Sequence, residues 1–259
     1  YTKGSTLFPH NIGLAATRNP SLSREIGAVT AKETRASGIR WNFDPVLDVG
    51  RNPLWPRFCE TFGEDPFLVS TLGAELIKGY EQDGLSNPTA VSSCMKHFIG
   101  YSDPKSGKDR TEAYISDITL WQKHIPSFKA AIDAGASTIM INSSMINDVP
   151  VHSSYELLTD LLRNRLGFKG MIVTDWEDII RLHERHKIAS TPREAVKIAI
   201  NAGIDMSMVP NNYSFCKHLV ELVKAGEITE SRIDTSVRRI LFLKSNLGLF
   251  ENPYPEKEA

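Results

Sequence analysis

Two patterns alternate along this chain. Short apolar runs end in polar or charged residues, and longer segments with helical apolar spacing follow them. The runs are residues 39–43, 90–95, 137–141, 170–174 and 204–209. The amphipathic segments include 21–37, 66–80, 120–134, 154–166, 192–202 and 214–225, and the last stretch, 230–248, also reads as a helix. A continuous apolar run suits a strand buried on both faces, whereas recurrence every three or four positions suits a helix. The alternation therefore predicts strand, helix, strand, helix.

Local punctuation points the same way. Ser21 with Arg24 and Glu25 is close to a capping arrangement, and Thr191-Pro192 places a cap before a proline that opens a helix. Gly38, Gly135, Gly167 and Gly203 stand where helices should stop, and apolar runs begin soon afterwards. Such order implies a parallel sheet with covered faces. A doubly wound sheet would want a G-x-G-x-x-G loop after its first strand, and there is none. The expected fold is α/β, a TIM-type (β/α)8 barrel, incomplete at its first strand because the chain starts late. The barrel should occupy residues 1–249. Pro253 and Pro255 mark 250–259 as an exit linker toward a further domain.

Composition narrows the classes. With 259 residues, 41% hydrophobic and 24% charged, the chain has globular proportions, which exclude disorder, collagen and coiled coil. Its 30 basic and 31 acidic residues leave a net charge of −1, so nothing draws it to nucleic acid or an anionic membrane. No apolar run approaches the roughly 20 residues of a membrane span. The start at Tyr1-Thr2-Lys3-Gly4, without Met or signal peptide, reads as processed or cut. Cys59, Cys94 and Cys216 form no C-x-x-C and are expected to be buried or semi-buried thiols. His183 and His186 stand three apart, not the four of H-E-x-x-H, so no metal is expected. Met171, Met206 and Met208 read as core. No cofactor is implied.

Polar residues cluster after two of the runs. Residues 170–174 lead into Asp175-Trp176-Glu177-Asp178. An indole can stack on a pyranose face while a carboxylate attacks or stabilises an anomeric carbon. Alternatively, Asp175 or Asp178 caps the next helix. The run at 91–95 leads into Lys96-His97-Phe98. These side chains are either donors to sugar hydroxyls or a surface Lys beside a core His, and in extended backbone they point to opposite sides unless the strand bends. The stretch 48–66 is irregular and dense in Arg, Glu and Trp, suiting either a functional loop or a solvated one with ion pairs. The loop at 100–110 reads as a lid or as plain surface.

Taken in order, these segments carry a family likeness. They include 7–17 (LFPHNIGLAAT), 38–45 (GIRWNFDP), and 48–66 with Trp55-x-Arg57 and Glu60-x-x-x-Glu64-Asp65-Pro66. Lys96-His97-Phe98, 167–176 (GFKGMIVTDW), 202–206 (AGIDM) and Arg238-Arg239-Ile240-Leu241 follow. The chain resembles the N-terminal barrel domain of glycoside hydrolase family 3 over nearly its whole length. The resemblance implies a retaining exo-acting β-glycosidase, foremost a β-glucosidase, with Asp175 as the nucleophile. It implies that Arg57, Lys96 and His97 hold hydroxyls of the sugar in the −1 subsite, and that Trp176 helps form the next subsite. Ser143 stands where many β-glucosidases carry Tyr and is counted with the substrate-binding set.

The family also usually has an Asp-x-x-His-Gly strand end just upstream, which this chain starts too late to contain. Its general acid/base is often a Glu from a following α/β domain, so the isolated chain should lack that group and catalyse poorly. Glu60, Glu64, Asp109 and Glu177 remain candidates within the chain. A branch using a His-Asp dyad after Lys-His-Phe is disfavoured, because 100–110 has no His. The implied partners are a β-glucoside or oligosaccharide substrate and that following domain, and the implied location is the periplasm or outside the cell. The competing readings are a non-catalytic carbohydrate-binding barrel, a β-xylosidase or other β-glycosidase of the same family, and an unrelated aldolase-type barrel with Lys96 as its Schiff-base residue.

Overall fold

A computed structural model describes residues 4–255. Tyr1–Lys3 of the expected cut start and 256–259 of the expected linker lie outside them. The first layer is helical. Helix α1 (Asn11–Thr17) leads into α2 (Pro20–Ala36), where the Asn19 side chain accepts from the Leu22 amide at 3.2 Å. The cap is therefore Asn19, not Ser21, because Pro20 already occupies the first turn. Helix α3 (Pro66–Glu81) starts in the same way, with Asp65 accepting from Phe67. The two long helices touch backbone to backbone. A Cβ on Gly79 would stand 2.3 Å from the Arg24 carbonyl oxygen, and one on Gly27 2.6 Å from that of Leu76.

Strand β1 (Cys94–Phe98) follows, then a continuous helical stretch: α4 (Asp117–Thr119), a wide π turn over Leu120–His124, and α5 (Ile125–Asp133). Pro126 explains the widening, since it has no N–H and its ring needs room beside the preceding turn. Strand β2 (Thr138–Ile141) runs into a small hairpin that the apolar pattern did not predict, β3 (Met145–Ile146) with β4 (Val149–Pro150). Asn147 and Asp148 turn it, both at positive φ. A π-type helix over Glu156–Arg165 precedes β5 (Met171–Val173). The chain then adds α6 (Asp178–Glu184), α7 (Pro192–Ala202), α8 (Ser214–Lys224) and α9 (Glu230–Asn246). Thr191 caps α7 as expected, accepting from Glu194 at 3.1 Å.

The sheet is parallel, in the order β1-β2-β5, with Thr138 opposite both Cys94 and Met171. The runs at 39–43 and 204–209 do not form strands. They join through isolated parallel bridges, Trp41 to Ser92 and Val46 to Lys96 on one side and Val173 to Met206 on the other. Pro45 interrupts the first because it has no amide to give a ladder. In the second, the Asp205 carboxylate takes the Ile172 amide at 2.9 Å. Among the described residues the parallel sheet therefore has three strands, fewer than a complete (β/α)8 barrel has. The main core lies between this sheet and the helices. A smaller cluster of Cys94, Met140 and Val173, with Trp41, Met206 and Met208 against it, fills the inner face. Of the three cysteines only Cys94 is buried. Cys59, on a surface turn, and Cys216, at the start of α8, are exposed, contrary to the expectation for all three.

Candidate active site

Strand β5 delivers Asp175 two residues past its last rung, and the fold buries all but a small part of it. The Ser143 hydroxyl donates to Asp175 Oδ2 at 2.7 Å, and Arg110 Nη2 stands 3.3 Å from the same oxygen. Asp175 Oδ1 takes the Trp176 amide at 2.6 Å. Burial pushes the Asp175 carboxyl up, but Ser143, Arg110 and the Trp176 amide together outweigh it and hold it below the usual value. A carboxylate kept ionised in a mostly dry setting can attack an electrophilic carbon. Trp176 itself is about half exposed and stands at the rim.

Neither acid acts as a helix cap. Glu177, in the left-handed region at φ 57°, is the residue before α6, with no side-chain capping bond. Asp178 turns inward and is almost fully buried. Ser143 bonds its Oδ2 as well, while Arg181 Nη1 reaches Oδ1 at 3.0 Å and Arg110 Nη1 lies 3.5 Å from Oδ1. Burial pushes the Asp178 carboxyl up to about 6, with Asp175 adding to the rise and Ser143, Arg110 and Arg181 opposing it. His152, at the turn after β4, brings a buried Nε2 to 3.8 Å from Asp178 Oδ2. Its burial holds that ring down at about 3, neutral at any ordinary pH.

A second cluster forms where β1 ends. The register slips between Met95 and Phe98, so the strand is irregular where Lys96 and His97 stand. His97 is buried. Its amide and ring Nδ1 both meet Asp48 Oδ2, at 3.0 and 2.9 Å. Asp48 Oδ2 accepts from the amide, and its contact with Nδ1 leaves Nε2 as the other ring nitrogen. Burial drives both partners toward neutrality, His97 well down and Asp48 up to about 7. Lys96 is partly buried. Arg57 forks onto Glu60 at 2.7 and 2.8 Å and lies over the Tyr101 ring, which packs edge-on against His97. Glu60 is thus tied down by Arg57, and Glu177 is held by Asn211 at 3.1 Å.

The loops at 48–66 and 100–110 are packed against each other, not free. The Asn52 amide donates to Ser102, its side chain donates to Pro104, and the buried Trp55 donates to Asp109 at 3.0 Å. Arg185 bonds the Arg110 carbonyl from the end of α6. This interlock aims Arg110 at Asp175 and Asp178, and its charge also reaches His97 and Tyr101. Asp48, Arg110, His152 and Asp178 were not singled out as site residues from sequence. Arg110 sits in a loop flagged for its position, but no spacing rule links it to Asp175, 65 residues away. Glu64 is exposed. His183 is spent on the Ala189 carbonyl at 3.0 Å.

Comparison with known proteins finds relatives over nearly the whole chain. The profile described as the glycosyl hydrolase family 3 N terminal domain matches residues 1–243. A lysosomal beta glucosidase of Dictyostelium discoideum is 51% identical over 265 aligned residues, covering 100% of this chain and 32% of that protein. A periplasmic beta-glucosidase of Salmonella typhimurium is 36% identical, covering 96% and 32%. A beta-glucosidase from Listeria innocua, solved as a mutant with laminaribiose, superposes with a TM-score of 0.94 at 32% identity. That superposition covers 98% of this chain and 35% of the Listeria protein. The chain thus spans about a third of the length of the relatives it matches.

Proposed function

The chain belongs to glycosyl hydrolase family 3 through its N-terminal domain, and on that membership we propose that the protein carrying it is a retaining exo-β-glycosidase, a β-glucosidase foremost. The single observation that carries the reading is Asp175. It is a buried carboxylate kept ionised by Ser143, Arg110 and the Trp176 amide, at a strand end beside an exposed indole. Asp175 bonds to the anomeric carbon as the glycosidic bond breaks, and the departing oxygen takes a proton from a carboxylic acid. Water then attacks the same carbon, gives its proton back to that acid, and frees Asp175 with the original anomeric configuration.

In this reading Arg57, Lys96 and His97 hold sugar hydroxyls, and Trp176 stacks on the group beyond. His97 offers a neutral ring nitrogen, a role that its bond to Asp48 supports. Ser143 acts on the nucleophile and not on the sugar, because its hydroxyl is committed to carboxylates. The acid is a group from a following α/β domain after the linker at 250–259. The engagement of Glu60 by Arg57 and Glu177 by Asn211 supports looking outside. The five parallel segments, three strands and two bridged runs, support a (β/α)8 barrel for residues 1–249. A place in the periplasm or the lysosome fits the names of the two relatives.

The test is intact mass measurement and peptide mapping of the full-length protein after incubation with a 2-deoxy-2-fluoro-β-glucoside bearing an activated leaving group. A fluoroglucosyl adduct on Asp175 is expected. A folded sample giving no adduct with this reagent, the matching xyloside or the matching N-acetylglucosaminide would overturn the reading.

A further inference from the structure

Ser143 poses a counting problem. Its Oγ carries one hydrogen, yet it stands within bonding distance of a carboxylate oxygen on each of two aspartates, Asp175 and Asp178. With both acids ionised, one of those contacts would set an oxygen lone pair against a negative oxygen with no hydrogen between. In a buried site such a contact is expensive. A second hydrogen must lie in the cluster, and only a carboxyl can hold it.

The donors decide which one. Asp175 Oδ1 takes the Trp176 amide, and Oδ2 faces Arg110 as well as Ser143. Asp178 Oδ1 receives Arg181 and faces Arg110. Among the described residues no N–H hydrogen-bonds Asp178 Oδ2, whose partner is Ser143. His152 Nε2 stands 3.8 Å from that oxygen and has no hydrogen-bond partner among the described residues. The Asp178 side chain is also drier, 2% exposed against 11% for Asp175. We propose that Asp178 is a proton-bearing positioning residue, a carboxylic acid whose Oδ2–H donates to Ser143 Oγ so that the Ser143 hydrogen is committed to Asp175 Oδ2. The result is a relay from acid to hydroxyl to carboxylate that orients the attacking group.

The charges around Asp178 agree. It faces Asp175 from the end of β5, Arg110 from the loop at 100–110, Arg181 and His186 from α6 and its exit, and His152 from the turn after β4. Both histidines are held low by burial, so neither supplies the hydrogen as a cation. Burial lifts Asp178 itself to about 6. The pair accordingly binds one proton near that pH, shared through Ser143 and resident on Asp178.

This inference deepens the reading of Asp175 as nucleophile, and its first test does not depend on that reading. Difference infrared spectra of the full-length protein, taken from about pH 5 to about pH 8, should show loss of a protonated carboxyl band near pH 6. Asp44, Asp48 and Glu81 are also pushed up by burial, so the comparison is with Asp178→Asn, which should lack that one transition. Ser143→Ala removes the acceptor and should move the band instead of abolishing it. This variant decides the matter if Asp178→Asn fails to fold. The second test is the acid limb of Asp175 labelling by the fluoroglucoside. Ser143→Ala should raise it by roughly one pH unit, because a bond to the ionised form is lost. Asp178→Asn should leave it in place, since Asp178 is already neutral where Asp175 titrates. A band unaltered in both variants overturns the relay, and so does an acid limb that falls in Asp178→Asn, the mark of an anion removed. Absence of labelling in the unmodified protein counts against the glycosidase reading alone.

Discussion

Two buried aspartates flank β5, and they are treated in opposite ways. Asp205 lies beside the start of the strand. Its side chain is fully buried, and both oxygens are spoken for: Arg163 at 2.6 Å and the Ile172 amide at 2.9 Å on one, Ser236 at 2.6 Å and Arg239 at 2.8 Å on the other. Arg163 also ties down the Phe168 and Gly170 carbonyls, and Arg232 those of Ile200 and Ile204. Asp175, at the far end, has fewer donors, a residual opening and an exposed indole beside it. A saturated carboxylate joins elements together and has nothing left for a ligand. A carboxylate held charged but incompletely covered retains reactivity. The difference lies in the count and direction of donors and in the opening left beside Asp175.

The comparison breaks most easily at Asp175. Replacing it with Ala in the full-length protein should lower hydrolysis of an aryl β-glucoside on the order of 10⁴-fold, as removal of a nucleophile does. The melting temperature should change little, because the side chain is partly open and Arg110, its charged partner, keeps Asp178. A variant that retained half its activity would put Asp175 in the same class as Asp205. The converse is Asp205→Ala. It strands the mostly buried Arg163 and takes the partner from the partly exposed Arg239, and should cost about 3–5 kcal/mol in denaturant unfolding. A loss under about 1 kcal/mol would show that the arginines find other partners.

A finer distinction lies in pH. Asp178 has its folded value raised, to about 6, so its contribution is fully present below the ordinary carboxyl value and is lost as pH climbs through 6. Unfolding free energy measured from about pH 4 to pH 7 should therefore fall for the natural chain relative to Asp178→Asn, by about 3 kcal/mol in all. Asp175 is shifted the other way and acts in the opposite sense, its contribution fading as pH drops below the usual carboxyl range. Parallel curves for the two proteins would contradict a protonated Asp178. The smallest effect belongs to Trp176. Its exposed ring touches little of the core, so Trp176→Ala should raise KM about tenfold for a disaccharide and leave Tm nearly unchanged.

Much of this was legible from residue order. The helix at Pro192–Ala202 begins and ends where Thr191, Pro192 and Gly203 said it would, because capping and chain reversal are local events. The runs at 137–141 and 170–174 became β2 and β5, whereas β1 takes only Cys94 and Met95 from the run at 90–95 and continues through Lys96-His97-Phe98. Asp175 stood out because strand, acid and indole are neighbours in the chain. Local chemistry also explains the misses. Asn19 displaced Ser21 as a cap, and Pro45 and Asp205 broke ladders that hydrophobicity alone would have continued.

What no spacing could convey is which distant side chains meet. Ser143 looked like a contact for sugar, yet it bridges two acids that lie 32 and 35 residues away. Arg110 belonged to an unremarkable polar loop until Asn52, Trp55 and Arg185 pinned that loop over the strand end. Asp178 is a helix residue by sequence and a buried acid by structure. Periodicity and caps are set by interactions within a few residues, so the sequence by itself determined the parallel α/β order and the place of the candidate nucleophile. Protonation and donor geometry depend on burial and on partners brought from other elements, so only the tertiary structure could decide which carboxyl is charged, which is neutral, and which is sealed away.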